Sequence, residues 1–233
     1  MAELPGQDFA YFGDGAHNPY GEKDPSWVLQ RVRSIAQGFV DAGAGAIVIA
    51  CNTATAVAAA PLRREFPAVP IIGVEPALKP AAQAPGVERI LVMATPMTLH
   101  QDKFHHLAEA WGTACEVRTV ECPGLALFIE QGGADGPGAV PFVEDLVGAY
   151  RGQVDAVVLG CTHYPFIADA IREVLGPVQL FDGAAGTARQ LRRRLQEAGR
   201  LPQAPAGGRV SLHCSDERPE VLQRYRSLLQ RVL

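Results

Sequence analysis

Val157-Val158-Leu159-Gly160-Cys161-Thr162-His163-Tyr164-Pro165 reads as an apolar strand that stops at a glycine and delivers a thiol. A short apolar run bounded by a turn former is how a strand buried on both faces looks in sequence. The earlier stretch Ile47-Val48-Ile49-Ala50-Cys51-Asn52-Thr53 repeats the pattern more weakly. Both cysteines then sit at carboxyl ends of strands, where ligands settle in open parallel sheets. Two thiols at equivalent points of two half-molecules suggest paired acid and base chemistry, one removing a proton and the other returning it on the opposite face.

Outward from these stretches, strands and helices alternate. Residues 9–12 read as a strand running into the turn-rich segment from Gly13 to Gly21, long enough to line a site. Asp24 and Pro25 start a helix whose face is Val28, Val32, Ile35 and Phe39, ending near Gly43. It feeds a strand over 46–50. The alanine-rich stretch after Cys51 is helical, with Pro61 expected to kink or divide it. Apolar runs at 71–74 and 90–93 are further strands. Thr95 and Pro96 look like the cap and first position of a helix with the face His100, Phe104, Leu107 and Trp111. Strands over 117–120, 156–159 and 178–181 alternate with helices over 125–130, 142–150 and from Pro165 to Leu175. A helix with the face Ala184, Ala188, Leu191, Leu195 and Ala198 follows, with Arg192, Arg193 and Arg194 mostly on its solvated side. The stretch 199–208 is linker-like; a strand through Val210, Leu212 and Cys214 and a C-terminal helix close the chain. The fold class is α/β, with mainly parallel sheets covered by helices on both faces.

Composition narrows the function. The chain has 233 residues, 48% hydrophobic and 20% charged, as in an ordinary globular protein. A net charge of −4 without a basic run speaks against a nucleic-acid partner. No apolar segment reaches the roughly 18 residues of a membrane span, and the first residues lack signal-peptide character, so the expectation is a cytoplasmic protein. Five cysteines without CxxC spacing indicate neither a disulfide framework nor a closed zinc site.

Cys51 and Cys161 each end a strand, precede hydrogen-bonding residues and stand ahead of a predicted helix whose amides could lower a thiol pKa. Cys115, Cys122 and Cys214 lack that context and read as structural. His163, two residues after Cys161, could polarise a thiol or satisfy a local backbone bond. Glu130 follows Leu127-Phe128-Ile129 and could edge a pocket or merely end a helix. Asp14 and Tyr20 are equally ambiguous, and become informative only together. His105, His106 and His213 read as surface or strand residues.

Together these segments resemble the glutamate racemases of the cofactor-independent aspartate and glutamate racemase superfamily. The resemblance lies in Tyr11-Phe12-Gly13-Asp14 through Pro19-Tyr20-Gly21-Glu22-Lys23, in Ala50-Cys51-Asn52-Thr53-Ala54 and in Ala94-Thr95-Pro96-Met97-Thr98. It continues in Leu127-Phe128-Ile129-Glu130-Gln131-Gly132 and is most specific in Gly160-Cys161-Thr162-His163-Tyr164-Pro165. It implies two pseudo-symmetric domains with the site between them: residues 1–76 with 182–233, and residues 77–181. It implies Cys51 and Cys161 as the catalytic thiols, His163 and Glu130 assisting Cys161, and Pro19, Tyr20, Gly21, Asn52, Thr53, Thr98 and Thr162 holding glutamate. No cofactor or metal is implied; a homodimer is compatible, and the product D-glutamate would feed peptidoglycan biosynthesis and so cell shape.

The family pattern also opens with a strand ending in Asp-Ser-Gly, ahead of the Tyr11 region, for which this chain has no match. The missing aspartate would assist the first cysteine, so the chain as given is expected to be impaired. Two alternatives stand beside glutamate racemisation: racemisation of aspartate or another carboxylic acid, since Gly15 and His17 depart from the early-loop pattern, and a catalytically retired homologue that binds a metabolite or protein.

Overall fold

The computed structural model describes residues 3–112, 115–201 and 207–230. In chain order its elements are β1 (Phe9–Gly13), α1 (Pro25–Asp41), β2 (Ile47–Ile49), α2 (Asn52–Glu65), β3 (Ile71–Gly73), α3 (Leu78–Ala82), β4 (Arg89–Ala94), α4 (Pro96–Leu99) and α5 (Asp102–Gly112). There follow β5 (Glu116–Glu121), α6 (Leu125–Glu130), α7 (Ala139–Val147), β6 (Ala156–Leu159), α8 (Ala168–Leu175), β7 (Gln179–Phe181), α9 (Ala184–Glu197), β8 (Val210–Cys214) and α10 (Pro219–Gln230).

The strands are parallel wherever they pair. One sheet has the order β5-β4-β6-β7; β1 pairs with β8, and β2 with β3. Alternation along a strand sends successive side chains to opposite faces, and the four-stranded sheet shows the result. Leu91, Met93, Val157 and Leu159 meet Ile129, Val143 and Ile171 on one side. Ile90, Val92, Ala156 and Val158 meet Leu78 and Phe104 on the other. The β2–β3 pair is covered in the same way. Val28 and Val32 of α1 pack with Ala54, Ala58 and Leu62 of α2 over Ile47 and Ile49. On its far face Ile72 meets Leu191 and Leu195 of α9. The α/β class read from the alternating pattern is the observed one.

Three local expectations need correction. Helix α2 runs undivided through Pro61. The proline removes one ladder bond, but Ala58, Ala59 and Leu62 around it are buried in the core with α1 and β2, and that packing holds the helix together. The helix expected after Thr95 is two helices. Thr95 accepts the Thr98 amide and caps α4, the Gln101 carbonyl accepts the amides of Phe104 and His105 at the start of α5, and the intervening His100 turns out to pair with Glu121 at 2.9 Å. Finally, Cys161 is followed by a bend and the 3-10 turn Tyr164–Ile167, not directly by an α-helix. Much of the linker-like stretch, residues 202–206, lies outside the described residues.

Candidate active site

Gly160 decides where the second thiol goes. It is buried beside β4, and a Cβ there would stand 2.7 Å from the Met93 carbonyl oxygen and 2.8 Å from the Ala94 Cβ. Only glycine lets the end of β6 keep its bond from the Gly160 amide to the Met93 carbonyl, at 2.7 Å, and still turn out of the sheet. Cys161 follows at the carboxyl end. Its Sγ lies 3.7 Å from Nδ1 of His163, whose Nε2 is 2.7 Å from Oε1 of Glu130. Burial alone would depress this imidazole, but its bonds to Cys161 and then to Glu130 outweigh that and hold it up at about 10. His163 is therefore an imidazolium at neutral pH. Glu130 ends α6, and its own backbone carbonyl accepts a hydrogen bond from Arg224 of α10.

Cys51 stands at the N-cap of α2, its Sγ accepting the Ala54 amide at 3.5 Å. The expected lowering of its pKa does not follow. Although part of its surface is accessible, the thiol is packed among protein atoms on most sides, and that burial pushes it up to about 11. The Ala54 amide offsets this only in part, and the charge of Cys161 adds to the rise. The two thiols thus lie within electrostatic reach of each other. A direct bond ties their flanks: the Thr162 hydroxyl donates to the Ala50 carbonyl at 3.2 Å, joining the residue after Cys161 to the residue before Cys51.

Asn52 and Thr53 open α2 and are buried. The Asn52 Oδ1 is buried with no partner among the described residues, an acceptor left for a donor. The hydroxyls of Thr53, Thr95 and Thr98 form a closed triangle, at 3.0 Å for Thr53–Thr95, 3.3 Å for Thr53–Thr98 and 3.0 Å for Thr95–Thr98. The loop carrying Pro19, Tyr20 and Gly21 lies against it: a Cβ on Gly21 would come within 3.0 Å of the Thr95 Cβ. Tyr20 also packs into the cluster containing Cys51 and Met97.

Every residue expected at the site is thus accounted for: Cys161, His163 and Glu130 in one chain of contacts, Cys51, Asn52, Thr53 and Thr98 around the start of α2, Pro19 to Gly21 alongside, and Thr162 bridging. The Thr95 hydroxyl stands in this group beside Thr98, although the sequence marks it only as a cap and as part of the motif over 94–98, and Arg224 sits on a helix with no local signal of its bond to the Glu130 carbonyl. Cys115 and Cys122 are buried, and burial pushes the Cys122 thiol up to about 12, consistent with an inert structural role. Among the described residues no group of three or more His, Cys, Asp or Glu is arranged to hold a metal ion, and no helix is long and apolar enough to cross a membrane.

Parallel sheets that each carry a thiol just past the end of a strand define a class of protein, and sequence comparison agrees: the chain belongs to the Asp/Glu/hydantoin racemase family, whose pattern matches residues 12–191. It is 40% identical over 229 residues to a glutamate racemase of Clostridium perfringens, covering 97% of this chain and 88% of that one. With a glutamate racemase of Clostridium botulinum it shares 37% identity over 221 residues, 94% of this chain and 86% of the relative. Among solved structures it is similar to a glutamate racemase isoform from Bacillus anthracis, with a TM-score of 0.86 and 25% identity over 99% of this chain and 86% of that one. Glutamate racemase from Francisella tularensis in complex with D-glutamate gives a TM-score of 0.84 and 26% identity, over 99% and 86% of the two chains. The resemblance carried by the motifs is borne out.

Proposed function

We propose that this chain interconverts L- and D-glutamate by proton exchange between two cysteines, without a cofactor. The observation that supports this most is the joining of the Cys51 and Cys161 strand ends by the Thr162–Ala50 bond, with Cys161 held in a His163–Glu130 relay. With D-glutamate, the Cys51 thiolate takes the α-proton and becomes a thiol, the C–H electron pair remaining on the α-carbon. The Cys161 thiol gives its proton to the opposite face and becomes a thiolate. With L-glutamate the roles reverse. The α-proton is weakly acidic, so positioning and local electrostatics must carry the reaction.

In this reading His163 and Glu130 serve the Cys161 side. The backbone amides of Tyr20 and Gly21, in the loop that Pro19 opens, and the hydroxyls of Thr53 and Thr98 hold the substrate carboxylates, and Asn52 Oδ1 accepts from its ammonium group. Thr162 keeps the two strand ends together through Ala50. Residues 1–76 with 182–233 form one domain and 77–181 the other, and the product D-glutamate serves peptidoglycan synthesis in the cytoplasm. The Cys51 side is the weaker half: among the described residues its partners are Thr53 and the Ala54 amide, with neither a carboxylate nor an imidazole. Turnover is therefore slow at neutral pH.

Incubation in heavy water with either glutamate enantiomer, followed by NMR and chiral chromatography, tests the proposal. Deuterium enters the α-position as the opposite enantiomer accumulates, and Cys51→Ser or Cys161→Ser each reduces racemisation by about 10²–10⁴-fold. Racemisation that survives both substitutions, or turnover of aspartate in preference to glutamate, would overturn it.

A further inference from the structure

Asp14 and Tyr20, uninformative singly, are joined in the fold. Asp14 follows β1 directly, and its side chain is only 8% exposed. Arg31 of α1 grips it in two places, Nε to Oδ2 at 2.8 Å and Nη2 to Oδ1 at 2.6 Å. The Tyr20 hydroxyl donates to Oδ2 at 2.5 Å, and His17 Nδ1 lies 3.0 Å from Oδ1. A bidentate guanidinium–carboxylate pair fixes direction as well as distance. The Tyr20 ring stands edge-on to Trp27, with centroids 6.0 Å apart, and His17 tilts over the same indole at 5.5 Å. Beyond Tyr20, Gly21 presses on Thr95 in the hydroxyl triangle.

We propose that Asp14 and Arg31 are positioning residues for the glutamate-binding loop. They clamp Tyr20 and, through it, the Pro19–Gly21 backbone against Thr95. This inference rests on the glutamate reading above and adds an electrostatic role to it. Asp14 holds Tyr20, whose ring packs in the same cluster as Cys51, so the carboxylate lies one side chain away from that cluster. An uncompensated carboxylate there would repel an acidic amino acid. Arg31 cancels that charge, and the loop keeps its anchor without repelling its ligand. The Tyr20 proton is committed to Asp14, which makes Tyr20 a structural donor and not a proton carrier for the reaction.

Trp27 reports on the loop directly, so binding can be read apart from turnover. In a Trp111→Phe background, the remaining indole fluorescence is titrated with L- and D-glutamate, and KM and kcat are measured in parallel. Arg31→Met is expected to raise Kd and KM roughly tenfold or more, with kcat within about threefold. Adding Asp14→Asn to Arg31→Met removes the stranded charge and recovers part of the lost affinity. Tyr20→Phe raises KM, and its effect largely vanishes in an Asp14→Asn background because both delete one contact. Should Arg31→Met fail to fold, Arg31→Lys and the Tyr20–Asp14 pair carry the same test. Unchanged KM, loss confined to kcat, or additive effects of Asp14→Asn and Tyr20→Phe would overturn the inference. A wild-type protein that neither binds glutamate nor exchanges its α-proton would instead overturn the glutamate reading itself.

Discussion

At the scale of single residues, the two thiols are unequal. Cys161 has a charged relay behind it, whereas burial holds Cys51 up near 11. At pH 8 a thiol of that pKa is ionised in only about one molecule in a thousand. The His163 imidazolium, held up at about 10, is lost only above that pH. Racemisation is thus expected to fall above about pH 10, as the His163 imidazolium is lost and, at higher pH, the Cys51 thiol with it. Because enantiomers have an equilibrium constant of one, kcat/KM must follow the same profile in both directions. A pH profile of kcat/KM for each enantiomer checks this, and a kcat/KM that keeps rising through pH 11 would contradict the roles given to His163 and Cys51.

At the scale of elements, strand ends do the placing. Glycine at 160 is required by close approach alone, since the space for a Cβ is filled by Met93 and Ala94 of β4. Gly160→Ala must push β6 from β4, with an expected destabilisation of about 1–3 kcal/mol and a displaced Cys161. Urea denaturation reads the first effect and the kcat of the surviving folded protein reads the second; wild-type values for both would show that the strands yield more easily than their packing indicates. The helices were legible because their faces are periodic: Val28 and Val32 in α1, and Leu191 and Leu195 in α9, are buried as the spacing required. The break between α4 and α5 was not. His100 and Gln101 carry no breaking residue type, and the structure there shows His100 paired with Glu121 of the neighbouring strand β5.

At the scale of the whole molecule, the links between the four-stranded sheet's layers and the rest include Thr162 to Ala50, Thr53 to Thr95 and Thr98, and Arg224 to the Glu130 carbonyl. The last ties the C-terminal helix α10 to the residue that orients His163. A cation at the end of α6 also suits the exposed carbonyls there. Arg224→Met is expected to lower kcat by about tenfold through a loosened Glu130–His163 pair, while Arg224→Lys, which keeps a donor, recovers much of it. Steady-state kinetics on the two variants decide this; equal loss in both would assign Arg224 to general stability.

Read alone, the chain determined the α/β class and nearly all of the elements, and it singled out as candidates the two thiols and His163 and, through the family resemblance, Glu130. Class and elements follow from local regularities, apolar runs and helical spacing, and the candidates from short motifs, one of them compact enough to keep Cys161 and His163 within two residues of each other. Tertiary structure decided what each group can do. Only the fold brings Asp14 to Arg31, turns the Asp14–Tyr20 ambiguity into a bond, and sets Thr95 beside Thr53. It also reversed the expected effect at Cys51, since a helix N-terminus acts through a few nearby amides while burial removes solvent from most sides of the sulfur. Desolvation depends on every element packed around the group, and no stretch of sequence contains it.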